Sequence, residues 1–325
     1  MPHEPKSIDA AAYGGPGWVG RSTTLREELG GIWAACGIDS EWRRLRAVLL
    51  HRPGAELAAS AEPDAALMLA PLDLGKAQAQ HDELAQAYRD QGVEVHAVEP
   101  EAPARPNQMF AADLFFMTPE GAVLGRPAAR VRAGEERQVA RRLAALGVPI
   151  LRSLRGAATF EGADAAWLDP ETVLIGRGLR TNGAGADQLR ALLEEMAVTV
   201  ITVDLPTGAM HLMGLLRWAD RDLAIAWPGR TPAAAIGALR ERGTRVAFIP
   251  DQAAARAEVQ RGMALNFVTL GPRRILMVDG NPASRAFFEA QGIECLSVPA
   301  DELAKAAGAV GCLTGVLWRD AAGAP

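Results

Sequence analysis

Asp113, Glu161, Asp164, His211 and Cys312 stand at places in this chain where a charged or reactive group is costly to keep. Cys312 follows Gly308, Ala309 and Gly311 in a glycine-flanked loop that feeds a strand reaching Asp320, and no second cysteine lies near enough to pair with it. A thiol so placed is a candidate nucleophile, with small residues leaving room to approach the sulfur. Its other reading, which this stretch alone favours, is a small buried hydrophobe at a strand start. Asp113 closes the run Pro106-Asn107-Gln108-Met109-Phe110-Ala111-Ala112 inside an apolar strand, and Glu161 and Asp164 flank Gly162 and Ala163 at a strand bulge. Arg180 precedes Thr181 and Asn182 in a loop, and His211 opens a further apolar strand. Charged groups among apolar residues are unfavourable unless paired or bound to something charged. One such acid is ordinarily structural; several acids converging with a His and a Cys suggest a cationic ligand.

The elements that must position these groups recur as a unit of strand, second strand, helix and strand. The first unit reads as strand 45–51, helix 76–91 and strand 93–98. The second is 109–117, 122–124, helix 134–146 and 149–151; the third is 159–168, 172–175, helix 184–196 and 198–203. The fourth is 211–219, 223–227, helix 231–242 and 245–249; the fifth is 264–270, 274–278, helix 282–291 and 294–298. Gly92, Gly147, Gly243 and Gly292 fall at helix ends, where a left-handed residue is wanted. The valine-rich strand after each helix reads as fully buried. Five units at a spacing of ~50 residues make a repeat architecture. A helix over 300–307 and the Cys312 strand remain, and the first unit is one strand short. The last strand therefore pairs back into the first unit and closes an α/β ring, which removes open sheet edges. No G-x-G-x-x-G follows a predicted strand, which weakens a two-domain dinucleotide-binding reading. Residues 1–40 read as a flexible extension, rich in Gly, Pro and Ala up to residue 20, and residues 41–325 as one catalytic domain. Within the extension Thr24-x-x-Glu27 is a capping box that opens one helix, with Leu25, Leu29, Ile32, Trp33 and Cys36 on one face and an end near Gly37. That helix packs on the main body, or serves as an arm over a pocket or toward a partner subunit.

Composition narrows the classes. The 325 residues are 49% hydrophobic and 22% charged with a net charge of −5, ordinary globular values without the basic face that nucleic acid requires. Three scattered cysteines, Cys36, Cys295 and Cys312, fit a reducing compartment and no disulfide framework. No C-x-x-C or H-E-x-x-H spacing points to zinc. Residues 1–20 lack the apolar run of a signal peptide, and no stretch of ~20 apolar residues spans a membrane. The expectation is a cytoplasmic protein without cofactor or metal, acting on a small molecule, with a homodimer left open.

Several segments resemble the guanidino-group-modifying (pentein) superfamily. Ser40-Glu41-Trp42-Arg43-Arg44-Leu45-Arg46-Ala47-Val48-Leu49-Leu50-His51-Arg52-Pro53-Gly54 resembles the opening of arginine deiminases. So do Gln80-His81-Asp82, Arg89–Val95, and His211-Leu212-Met213 followed by Ala219-Asp220-Arg221-Asp222. Arg180-Thr181-Asn182 and the stretch from Cys312 to Asp320 are more similar to dimethylarginine dimethylaminohydrolases. The resemblance covers about residues 40–320 and implies a five-bladed α/β propeller with its site on the axis. It implies that Cys312 is the nucleophile, His211 the general acid and base, and Asp113 the carboxylate that grips a guanidinium. Glu161, with Asp164 in the same acidic motif, would hold the His or the guanidinium, and Arg132 and Arg180 would bind a substrate carboxylate. Arg132 lies near Arg126 and Arg130, so a solvated cation is its other reading.

The implied chemistry suits these residue types. A guanidinium carbon is a poor electrophile until carboxylates fix its plane and localise its charge. A thiolate then adds to it, and an imidazolium gives a proton to the leaving amine and takes one from water. Three positions depart from the family pattern: Met213 where deiminases carry a second gripping Asp, Ala112 where Arg or Glu is usual, and Asn107 where the dimethylarginine branch has an acid for the α-amine. Met213 favours N-substituted guanidines. The expectation is a cysteine-dependent amidinohydrolase. Amidinotransfer through the same intermediate is the alternative, and a non-catalytic guanidine binder the further one.

Overall fold

The computed structural model describes residues 8, 10–100 and 103–322. The sequence expectation for the first twenty residues falls partly on 1–7 and 9, outside the described residues; the described part includes a short 3-10 turn, Ala11–Tyr13. Helix α1 spans only Leu25–Glu28. Its capping box forms as expected, with Thr24 Oγ1 accepting from Glu27 N and Glu27 accepting from Thr24 N at 2.7 Å. The helix does not reach Cys36: Gly30 takes a left-handed φ of 79° and is followed by Gly31, a pair whose backbone entropy a single capped turn does not offset. The chain beyond runs extended into the body. Cys36 and Ile38 enter the core, Gly37 N donates to Leu317 O, and Ile32 is left 72% exposed.

From residue 45 the chain makes five three-stranded sheets. Strand β1 (Leu45–Leu50), helix α2 (Leu74–Asp90) and β2 (Glu94–Ala97) are followed by β3 (Phe115–Thr118), β4 (Gly121–Leu124), α3 (Glu135–Ala145) and β5 (Ile150–Ser153). The third blade is β6 (Ala165–Asp169), β7 (Thr172–Arg177), α4 (Gly183–Glu195) and β8 (Thr199–Asp204). The fourth is β9 (Leu216–Asp220), β10 (Leu223–Ala226), α5 (Ala233–Glu241) and β11 (Arg245–Phe248). After α6 (Ala253–Gln260), which the sequence pattern did not reveal, come β12 (Val268–Gly271), β13 (Arg274–Val278), α7 (Pro282–Ala290) and β14 (Glu294–Val298). The 300–307 helix is only a 3-10 turn, Leu303–Ala306; a helical turn α8 (Val310–Leu313) and strand β15 (Gly315–Arg319) complete the described chain.

In every blade the inner strand pairs antiparallel with the middle one, and the middle strand pairs parallel with the outer one across a helix. Strand β15 is the inner strand of the first blade, antiparallel to β1 with Leu45 opposite Arg319 and Val48 opposite Val316. The five-bladed α/β propeller and its closure are as the repeat required. The outer strands are not fully buried: β2 and β5 have exposed ends and half-buried middle residues, because each is the edge of its sheet with a helix on one face only. The valine or isoleucine just before the strand is what enters the core (Val93, Val148, Val198, Ile293). Apolar clusters bridge neighbouring blades, with Phe116 stacked on Trp167 at 5.9 Å between the second and third, and within the fifth blade Phe267 lies edge-on to Phe288 at 5.5 Å. Each such fully buried side chain is worth about 1.5–3 kcal/mol of removed apolar surface. No helix among the described residues is long and apolar enough to cross a membrane.

The inner strands begin later than their apolar runs do. Ahead of four of them stands a short helical turn: Ala111–Asp113 before β3, Gly162–Asp164 before β6, Leu212–Gly214 before β9 and α8 before β15. The expected strand positions of Asp113, Glu161, Asp164, His211 and Cys312 are therefore turn positions, all brought to one end of the ring axis.

Candidate active site

Each turn presents its functional side chain from a defined place. Asp113 ends the first turn, Glu161 is the residue before the second, His211 the residue before the third, and Cys312 lies within α8. Close backbone approach makes this arrangement dependent on glycine. A Cβ at Gly162 would lie 2.2 Å from Phe115 O, so no other residue lets the Glu161 turn nest on the β3 turn. A Cβ at Gly308 would meet the Phe110 ring at 2.5 Å and Cys312 Cβ at 3.0 Å. The glycine before the thiol thus serves tight packing, where the sequence suggested open room for an attacking molecule.

His211 Nε2 lies 2.7 Å from Glu161 Oε2 and 3.8 Å from Asp113 Oδ1. One ligating atom from each of these three residues lies within 4.8 Å of the others, a spacing that would admit a cation. A protein cation already stands there. Arg132 Nη1 donates to Asp113 Oδ2 at 2.7 Å and to Glu161 Oε2 at 3.2 Å, and its Nε donates to Glu135 at 2.8 Å. Arg132 is 2% exposed, so it is no solvated surface cation. It lines the cavity with Nε and Nη1 engaged by the acids and Nη2 buried without a partner. Arg180 lines the same cavity with a longer contact to Glu161 of 3.5 Å, and is the less committed of the two arginines. Asn107 lines it as well, its amide donating to Ala66 O at 2.7 Å and so tying down the loop that carries Leu67. Asp164 does not reach the cavity wall. Its oxygens accept from Thr181 Oγ1 at 2.7 Å and Leu212 N at 3.0 Å, so it holds the His211 turn from behind. Met213 faces away from the acids, toward a second chamber described below.

The electrostatics follow from burial and these partners. Burial pushes His211 down, but Asp113, Asp164 and Glu161 outweigh it and hold its pKa up at about 9, an imidazolium at neutral pH. Burial pushes Glu161 up, yet His211, Arg132 and Arg180 keep it well below the usual carboxylate range. Burial, then Asp113, raises Cys312 to about 11, against the opposing pull of Asn266 and Arg217. The site thus holds a neutral thiol beside a protonated histidine. Asp113 Oδ1 is buried and without a hydrogen-bond partner, an acceptor waiting for a donor.

Sequence reasoning missed Asn266, Glu135 and Arg217. Asn266 Oδ1 accepts from Gly311 N at 2.7 Å and Cys312 N at 3.1 Å, and its Nδ2 lies 2.9 Å from Cys312 Sγ. It sits ahead of β12, in the fifth-blade place corresponding to the other functional turns, and that correspondence was the available signal. Glu135 begins α3 fully buried; burial raises it to about 7 against the pull of Arg132. Arg217 packs over the Phe267 ring at 5.6 Å, and its charge favours the Cys312 thiolate.

A closed ring of five α/β blades with a half-buried Cys beside a buried His and buried acids at one end of its axis defines the class of guanidino-group-modifying, or pentein, proteins. Residues 73–253 match the profile of the family described as N,N dimethylarginine dimethylhydrolase, eukaryotic, and residues 229–319 that of arginine deiminase. The chain belongs to the N,N dimethylarginine dimethylhydrolase family of that superfamily. It is 28% identical over 243 residues to an N(G),N(G)-dimethylarginine dimethylaminohydrolase of Streptomyces coelicolor, covering 75% of this chain and 86% of that one. In structure it is similar to the dimethylarginine dimethylaminohydrolase of Pseudomonas aeruginosa complexed with citrulline, with a TM-score of 0.70, 21% identity, and coverage of 85% of this chain and 100% of that one. The amidinotransferase SxtG of Microseira wollei shares the fold, with a TM-score of 0.69, 14% identity, and coverage of 89% and 98%.

Proposed function

We propose that this protein is a cysteine-dependent amidinohydrolase that releases an amine from an N-substituted guanidino compound and leaves the ureido product. The observation that carries the reading is one cavity wall formed by Cys312, His211 and Asp113, with an unpartnered Asp113 oxygen and a histidine held protonated by buried acids. The family membership and the dimethylarginine dimethylaminohydrolase relative support it.

The steps follow from the charges. The guanidinium donates N–H bonds to Asp113, which fixes its plane and draws its charge toward the carboxylate. That bound cation lowers the cost of ionising Cys312, whose proton is then lost. Sulfur bonds to the guanidinium carbon, the C–N bond to the substituted nitrogen breaks, and His211 gives that nitrogen its proton as it leaves. Water then adds to the amidino-cysteine carbon, surrendering one proton to the now neutral His211, and as the C–S bond breaks the new hydroxyl passes its proton to the departing sulfur, leaving the urea and the Cys312 thiol. Glu161 holds the His211 ring in place throughout and favours its charged form. Arg180 is the cation offered to an anionic end of the substrate.

The test is turnover of Nω-substituted arginines by wild type and by Cys312→Ser, with intact-mass detection of an adduct on Cys312 and identification of the products. The expected result is ureido product plus free amine, an adduct only in the presence of Cys312, and a loss of turnover by orders of magnitude in folded Cys312→Ser. A Ser variant of near-normal rate overturns the covalent mechanism. Amidino product on an added amine would instead favour transfer, and binding without adduct or product would favour a binder.

A further inference from the structure

The catalytic pair stands between two cavities of very different size. The compartment holding Asp113, Arg132 and Arg180 is ≈ 20 Å³, whereas a second one of ≈ 250 Å³ opens on the other side of Cys312 and His211. His211, Cys312, Met210 and Ala307 line both. The larger chamber is walled mainly by Met213, Leu215, Trp227, Val259 and Met263 and contains no carboxylate. Met213 sits close to the nucleophile turn: its sulfur would be 3.4 Å from a Cβ at Gly311. At the far side Arg230 stacks its guanidinium on the Trp227 ring at 5.7 Å, with its Nε buried and unpartnered.

We propose that this chamber is the leaving-amine subsite and that the physiological substrate carries an apolar N-substituent of several carbons on the guanidinium nitrogen that departs. The inference rests on the amidinohydrolase reading above and names its substrate class. A guanidinium gripped by Asp113 and attacked by Cys312 presents its departing nitrogen on the His211 side, since His211 must protonate it. The space beyond His211 on that side is the chamber. A methyl group, about the size of one water molecule (~30 Å³), leaves most of it unfilled. An apolar wall of this kind rewards each added methylene by removing its surface from water. Arg230 at the far end repels a second cation, which disfavours diamine leaving groups and favours a neutral chain. The stoichiometry is unchanged: guanidinium plus water gives a urea and a protonated alkylamine.

The experiment uses arginines carrying Nω-methyl, -propyl, -butyl and -benzyl groups, with kcat/KM and Cys312 adduct formation measured for each. Wild type is expected to gain about fourfold per methylene from methyl to butyl, the rate equivalent of burying one methylene. Val259→Phe and Met263→Trp, two independent ways to fill the chamber, are expected to erase that gain, lowering kcat/KM for the propyl, butyl and benzyl substrates by a larger factor than for the Nω-methyl one. Either variant that stays folded by circular dichroism supplies the comparison. Flat or falling kcat/KM with chain length in wild type overturns the chamber assignment and leaves the hydrolase reading standing, as does equal loss on all substrates in the filled variants. No turnover and no Cys312 adduct with any guanidine overturns the hydrolase reading and this one with it.

Discussion

Replacement of Asn266 tests how the nucleophile is held. Its side chain accepts from two backbone N–H groups of the Cys312 turn, at 2.7 and 3.1 Å, and places an N–H 2.9 Å from the sulfur. Asn266→Leu removes all three contacts. Two buried N–H groups are then unpaired at about 1–3 kcal/mol each, so unfolding stability is expected to fall by roughly 2–6 kcal/mol. The thiolate loses a charged-acceptor hydrogen bond worth about 1.5–3 kcal/mol, which lowers kcat/KM roughly ten- to a hundredfold through a raised thiol pKa. Asn266→Asp separates the effects: it keeps the acceptor for both N–H groups but faces the sulfur with a negative charge. Its stability is expected to stay within about 1 kcal/mol of wild type, while an added repulsion of about 4 kcal/mol at 4 Å and an effective dielectric of 20 cuts the rate by up to a further thousandfold. The assays are urea unfolding and the pH dependence of Cys312 alkylation by a small haloacetamide, alongside kcat/KM. Asn266→Asp with kcat/KM within threefold of wild type and an unmoved alkylation profile would refute the assignment of Asn266 as the residue that positions and stabilises the thiolate.

The pH profile of kcat/KM should rise tenfold per unit as the thiol proton becomes easier to lose, level off near pH 9 where His211 begins to lose its proton, and fall above about 11; a profile flat from pH 6 to 9 contradicts a neutral thiol beside an imidazolium. Met213→Asp adds an acceptor and a charge next to the leaving nitrogen, so the preference for Nω-substituted over plain arginine, expected at roughly ten- to a hundredfold, should shrink or reverse; paired kcat/KM values that move the other way remove Met213 as a selector. His81 is buried with neither ring nitrogen hydrogen-bonded, and burial pushes its pKa down to about 4 against the pull of Asp82. Its folded pKa lies below its unfolded one, so its neutral burial is harmless above pH 6.5 and costs stability as pH falls from there toward 4, by up to roughly 3 kcal/mol. Urea midpoints at pH 7 and 4.5 should converge in folded His81→Phe, and an unaltered pH dependence there would assign the acid sensitivity elsewhere.

The blade pattern was legible because each unit carries its own punctuation, a helix ended by glycine and an apolar strand after it. Ring closure followed from strand counting. The turns ahead of the inner strands were not legible: three or four helical residues hold no period, and Met109–Met117 reads as one apolar run although Asp113 ends a 3-10 turn within it. The acids, His and Cys announced themselves as charge or thiol in apolar surroundings. Asn266 did not, since a neutral amide after Leu265 reads as an ordinary turn residue until the blades are superposed. Arg132 shows the limit from the other side. Its position matched a substrate-binding arginine, but that its guanidinium also engages Asp113, Glu161 and Glu135 while lining the cavity depends on contacts between residues far apart in the chain.

The pairing of β15 with β1 joins residues separated by up to 274 positions, and the thiol is carried on the turn immediately ahead of β15. Synthesis from the N-terminal side delivers four complete blades and an incomplete one before that strand emerges. Asp113, Glu161 and His211 can gather early, on elements whose partners are already made, but the sulfur joins them only when the longest-range pairing in the ring forms. Such a contact must wait for its loop-closure entropy to be met, so it is expected among the last and slowest steps of folding. Chemical competence and topological completion then arrive together, and a nascent or unzipped ring holds its acids and histidine in place without the sulfur.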